Sequence, residues 1–147
     1  LGEGLPWRGL PFETLPVGRG RRLREGRDVA LVTVGTVGNA AARAAERAAA
    51  QGVEAAHYDL RWVKPLDTEL LDEVGRTFRR VITVEDGCLR GGVGEAVAAY
   101  FNARGYDAHV TCLGIGDAWV EHGTPEQLHA LCGYDEESIL RALTQSV

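Results

Sequence analysis

Apolar residues along the chain gather in short, unbroken runs separated by glycine, proline and charge. Val29 to Val34 reads VALVTV and Val81 to Val84 reads VITV, β-branched throughout most of their length and free of charge. Strands covered on both faces of a parallel sheet have this composition, whereas a half-exposed strand alternates with polar residues. Val53 to Leu60 and Tyr106 to Leu113 supply two further strands, and the strand around VITV is expected over Arg79 to Glu85. Between the runs the apolar spacing turns helical. Asn39 to Ala50 is alanine-rich and stops at Gly52, Asp67 is a good N-cap for Thr68 to Phe78, and Val93, Val97, Tyr100 and Phe101 share one face of a helix ending at Gly105. Thr124 before Pro125 predicts a short helix to Leu131, and Asp135 starts a last one running to Thr144. The alternation predicts an α/β fold: a three-layer open sheet of about five strands, mostly parallel, with helices on both faces and right-handed crossovers. The basic segment Val17 to Gly26 is expected to form an antiparallel edge strand turning into the next.

The organising stretch is Val81 to Val97, VITVEDGCLRGGVGEAV, which reads as strand, glycine-rich turn and helix start in one run. Such a unit places its loop at the carboxyl edge of the sheet, where open α/β folds usually do their recognition. Leu1 to Pro16 holds three of the five prolines and reads as an interdomain linker, with its apolar residues partly packed along the domain formed by 17–147.

Composition narrows the class. A chain of 147 residues that is 45% hydrophobic can bury one core without staples. Its net charge of −5 argues against nucleic acid or an anionic membrane as partner, and the basic clusters Arg19/Arg21/Arg22/Arg24 and Arg76/Arg79/Arg80 read as solvated surface. Cys88, Cys112 and Cys132 have neither disulfide-framework nor zinc-ligand spacing, which suits a reducing cytoplasm. There is no membrane-length apolar run. Because the chain starts at Leu1 and contains no methionine, it is expected to be a piece of a longer polypeptide.

Candidate chemistry is sparse. Gly91-Gly92-Val93-Gly94 and Gly35-Thr36-Val37-Gly38 match neither a P-loop nor a dinucleotide fingerprint, and are expected to serve close packing. Glu85 and Asp86 are neighbours at an expected strand end, so they point to opposite faces, cannot work as a carboxylate pair, and should accept loop N–H groups. His57 and His109 read as core or half-buried strand histidines and His129 as a helical one. His122 alone sits in a carboxyl-edge loop, with Asp117 as its nearby partner. No serine nucleophile elbow is present. The residues read as a domain that binds or supports something, without visible means to transform it, and its carboxyl-edge loops are Glu85 to Gly94 and Gly114 to Gly123. A small-ligand or regulatory module using the crevice between those loops is the rival reading.

Several segments carry a family resemblance: PFETLPVGRGRRLREGRDVALVTVGT, DLRWVKPLD, VITVEDGCLRGGVGEAV, and LGIGDAWVEHGT followed by LCGYDEESI. In this order they resemble the carboxyl-terminal domain of transketolase-like thiamine-diphosphate enzymes, and among them most closely the 1-deoxy-D-xylulose-5-phosphate synthases. The VEDG and GGVG motifs alone are shared with transketolases and with the β-subunits of 2-oxoacid dehydrogenases. The chain departs from the synthase pattern at Ala118 and Trp119, where Arg and Phe are expected, and at Cys88 and Arg90. The resemblance implies a cytoplasmic, bacterial, homodimeric transferase that condenses pyruvate with glyceraldehyde 3-phosphate, releasing carbon dioxide, for isoprenoid, thiamine and pyridoxal biosynthesis. It also implies that thiamine diphosphate and Mg²⁺ belong to the amino-terminal and pyrimidine-binding domains. Carried over residue by residue, it leaves this chain no catalytic, cofactor or metal ligand. Its candidate contact residues are then Glu85, Asp86, Gly91, Gly92, Gly94, Asp117, Trp119 and His122.

Overall fold

A computed structural model describes residues 13–145. The expected packing of Leu5, Trp7, Leu10 and Phe12 along the domain, and most of the expected linker, lie outside the described residues. Ten elements follow one another: β1 (Arg21–Arg24), β2 (Val29–Val34), α1 (Gly38–Ala49), β3 (Ala55–Asp59), α2 (Thr68–Thr77), β4 (Arg80–Cys88), α3 (Val93–Arg104), β5 (His109–Ile115), α4 (Pro125–Cys132) and α5 (Glu136–Thr144).

The strands form one sheet in the order β1-β3-β2-β4-β5. β1 pairs antiparallel with β3, and the other pairs are parallel. The chain therefore reverses direction across the sheet between β2 and β4, which puts a topological switch point beside the loop that follows β4. The two centremost strands are buried on both faces, and successive residues serve two separate cores. Val29 and Leu31 pack with Ile82, Ile139 and Leu143 on one face, while Ala30 and Val32 pack with Tyr58, Leu71, Val81 and Phe101 on the other. Four alanines of α1, Ala41, Ala44, Ala45 and Ala48, are wholly buried. With no side chain beyond Cβ, that helix lies close against the sheet and α5.

The helix starts follow from local chemistry. The Asp67 side chain accepts from Leu70 N, that of Asp135 from Ser138 N, and Thr124 with Gln127 forms a complete capping box ahead of Pro125. Asp67 does more than cap: it also accepts from Gly20 N at 2.8 Å, pinning the segment before β1 to α2.

Two expectations fail here. β4 does not end at Glu85 but runs to Cys88, because a register shift between Val84 and Cys88 lets Glu85 to Gly87 bulge out before Cys88 pairs again with Ile115. His109 is exposed, since it opens an edge strand instead of sitting inside one. The first basic cluster is at the surface but not bare. Arg19, Arg21, Arg22 and Arg24 reach Glu69, Asp59, Glu73 and Glu54 across the β1 margin.

Candidate functional site

Four parallel strands end at one edge of the sheet, and the β4–α3 and β5–α4 loops lie side by side there. The first is built around Glu85. Its side chain is buried, and its two carboxyl oxygens accept from Val93 N at 2.9 Å and Gly94 N at 2.8 Å, the first free amides of α3. A helix N-terminus presents unpaired N–H groups and a partial positive charge, the features that suit it to a phosphate. In this protein a carboxyl group of the same chain fills that position. The glycines make the approach possible: a Cβ on Gly92 would lie 2.6 and 2.7 Å from the Glu85 carboxyl oxygens, and one on Gly94 would lie 2.6 Å from Thr83 Oγ1 and 2.7 Å from Cys112 Sγ. Gly91 sits in the left-handed region at φ 72° and donates its N–H to Glu95 at 2.7 Å. The run thus serves packing, as its failure to match any phosphate motif implied. Nor do residues here suit thiamine diphosphate: the amides that could take its phosphates are occupied, and among the described residues no group of three or more His, Cys, Asp or Glu side chains could hold a metal.

Asp86 points the other way, as neighbours on a strand must, and meets a partner the sequence did not signal. The Tyr134 hydroxyl, from the turn between α4 and α5, donates to Asp86 Oδ1 at 2.8 Å. Burial, reinforced by that bond, pushes the Tyr134 pKa up from its ordinary value. His129 of α4 stacks on Tyr134 with ring centroids 4.7 Å apart and brings Nε2 to 3.9 Å from Asp86 Oδ2. Nothing in Cys132-Gly133-Tyr134 marks such a contact in advance, because it joins residues 48 positions apart.

The second loop is different. Asp117 does not partner His122; it pairs with Arg90 at 3.3 Å, both side chains largely exposed, and so forms a rim contact between the two loops. His122 is exposed and has no carboxylate within ion-pair distance among the described residues. Trp119 is fully exposed, Val120 partly so, and α4, which follows, buries none of its residues, leaving Leu131 largely in solvent. The Trp119 indole thus buries no apolar area within the domain.

Two further buried or part-buried polar groups are held by partners of the same chain. His57 is buried between β2 and β3, where Nε2 lies 2.9 Å from Thr33 Oγ1; burial pushes its pKa down to about 4, so the ring is neutral near pH 7. Asp72 accepts from the hydroxyls of Tyr100 at 2.7 Å and Tyr106 at 2.8 Å, tying α2 to α3, and those two bonds hold its carboxyl below the usual range.

Known proteins with the same features agree. The profile for the transketolase C-terminal domain matches residues 18–139. The chain is 48% identical over 137 residues to a 1-deoxy-D-xylulose-5-phosphate synthase of Bacteroides fragilis, which covers 92% of this chain but 21% of that protein. It is 42% identical over 129 residues to the protein of that name from Carboxydothermus hydrogenoformans, covering 88% of this chain and again 21% of the relative. It therefore spans about a fifth of the length of the curated relatives it matches. Among solved structures, one titled a split-gene transketolase, inactive β4 tetramer, superposes with a TM-score of 0.85 at 34% identity over 95% of this chain and 46% of that one. The transketolase of Campylobacter jejuni, at 15% identity and a TM-score of 0.59, shares the fold. A sheet with this strand order, matched by the profile over nearly all of its elements, places the protein: the chain belongs to the transketolase C-terminal domain family.

Proposed function

We propose that the chain serves as an assembly domain of a 1-deoxy-D-xylulose-5-phosphate synthase, and that it supplies contact surface rather than a reacting group. The full enzyme of that name joins pyruvate to glyceraldehyde 3-phosphate with loss of carbon dioxide. In this reading thiamine diphosphate and Mg²⁺ are held by other domains of the same polypeptide, the whole works as a cytoplasmic homodimer, and this domain alone is inactive. The observation that carries the reading is the contrast at the carboxyl edge. Glu85, the buried carboxyl there, has both oxygens committed to backbone amides, while on the neighbouring loop Trp119 is fully exposed and Val120 partly so. The name shared by the curated relatives supports the choice of enzyme. The structural neighbour whose title calls it inactive, a tetramer of one chain type from a split gene, supports the division of labour.

The test is an assay of the 147-residue protein with pyruvate, glyceraldehyde 3-phosphate, thiamine diphosphate and Mg²⁺. Expected is no deoxyxylulose phosphate from this chain alone, and product only when the thiamine-binding part of a synthase is supplied with it. Turnover by the chain alone overturns the proposal, as does failure of that part to bind it.

A further inference from the structure

Arginine pairing among the described residues is nearly complete, and the two exceptions there share one cavity. Every other arginine among the described residues has a carboxylate oxygen within 4 Å, including those of the β1 margin that line a second cavity and are neutralised there by Asp67, Glu69 and Glu73. Arg80, at the start of β4, and Arg141, on α5, have none within 4 Å among the described residues, and both line a cavity of about 350 Å³ beside the edge strand β5. Ser138, Thr111 and Gln145 add polar side chains to its wall, and Leu113 an apolar one. Arg80 is half-buried. Its Nη2 donates to the carbonyls of Ala142 and Leu143, the latter at 2.9 Å, which leaves Nε and Nη1 free. Burial lowers its pKa from the ordinary value with no carboxylate opposing the shift. Arg141 spends one Nη2 bond on Ser138 Oγ at 2.8 Å.

A half-buried guanidinium without a counter-charge is a costly arrangement unless an anion completes it. A second guanidinium, the exposed Arg141, opens on the same cavity and adds positive charge there on a protein of net charge −5. We infer that the cavity beside β5 and α5 is a binding site for a small phosphate-bearing molecule, held by Arg80 and Arg141 with Ser138. The donor set favours phosphate over carboxylate. Two guanidinium forks offer more N–H groups than the two oxygens of a carboxylate can accept, whereas a phosphomonoester presents three terminal oxygens and nearly two negative charges. The volume lies at the small end of ligand pockets, the size of a phosphorylated metabolite and not of a folded partner. The site uses none of the residues of the assembly surface, so it stands or falls separately from that reading.

The test is a titration of the ¹⁵N-labelled chain with inorganic phosphate, glycerol 3-phosphate and glutarate, following the amides of Thr111, Gly133 and Ser138. Expected are saturable shifts at these amides with the two phosphates, the tighter of them identifying whether a free ion or an ester is preferred, and at least tenfold weaker binding in Arg141→Gln. Arg80→Gln should weaken it as much, but Arg80 also holds the last carbonyls of α5, so Arg141→Gln with an unchanged melting temperature is the deciding variant. Arg90→Gln, on the opposite side of β5 in the rim pair with Asp117, should bind like the wild type. Absence of saturable shifts, unchanged affinity in Arg141→Gln, or glutarate binding as tightly as the phosphates overturns the assignment.

Discussion

The β4–α3 and β5–α4 loops are neighbours at one edge of one sheet, both rich in glycine, and they are opposite in construction. In the first, glycines let a buried carboxyl reach two helix amides, and the Gly91 amide is taken by Glu95. In the second, from Gly116 to Gly123, side chains lie open to solvent, an indole has no cover, and the helix that follows buries nothing. The first loop is thus part of the fold's own stability, and the second is open surface, which the proposed function assigns to contact. Glycine content does not separate them. What separates them is whether each backbone and side-chain group already has a partner.

The sharpest way to break this comparison is Glu85→Ala. Two buried amides of α3 would lose their acceptors, each costing about 1–3 kcal/mol, so a loss on the order of 3 kcal/mol is expected in urea unfolding. A change below about 1 kcal/mol would show that water replaces the carboxyl and that the terminus is open to ligands after all. Gly94→Ala comes next. Its Cβ would meet Thr83 and Cys112 at 2.6 to 2.9 Å, an overpacking worth about 1–3 kcal/mol in the same experiment. Wild-type stability in Gly94→Ala would mean that α3 and β5 are not as closely packed as the geometry requires.

How much of this was legible in advance follows the range of the interactions. β-branched runs such as VALVTV and VITV, and caps such as Asp67, Thr124 and Asp135, act within a few residues of themselves, and each element they announced is present. His57 was readable as a core histidine because its neighbours are apolar on both sides. His109 was not, since the same local pattern occurs at the start of an edge strand, and strand order is not a local property. At the carboxyl edge, Glu85 was placed correctly as an acceptor of loop amides, but the extension of β4 beyond it depends on the register with β5. The Asp86–Tyr134 bond and the Arg90–Asp117 pair join residues 48 and 27 positions apart, and no spacing rule reaches so far. That Arg80 and Arg141 have no ion-pair partner among the described residues is the extreme case, because it depends on where every other described arginine and carboxylate lies in the fold.

Smaller effects sharpen the second loop. Thr124→Ala removes one half of the α4 capping box and should cost that helix about 1 kcal/mol. Because α4 buries no residue, the loss should appear as roughly fivefold faster amide exchange within α4, with the global unfolding midpoint nearly unmoved. A fall in global stability equal to the cap's worth would show that α4 is cooperative with the core and is therefore part of the fold's own stability.

Trp119→Ala is expected to have the smallest effect on the domain itself, within about 0.5 kcal/mol, since the side chain is fully exposed and touches no core. Its effect on assembly should be the reverse. A buried tryptophan at the centre of an interface typically contributes more than about 1.4 kcal/mol, so association with the thiamine-binding part of a synthase should weaken at least tenfold by calorimetry. His122→Ala, exposed on the same loop without an apolar ring to bury, serves as the comparison and should weaken association less than Trp119→Ala. Equal affinity for Trp119→Ala and the wild type would remove the anchor from the second loop, and with it the reason for regarding that loop as a contact surface.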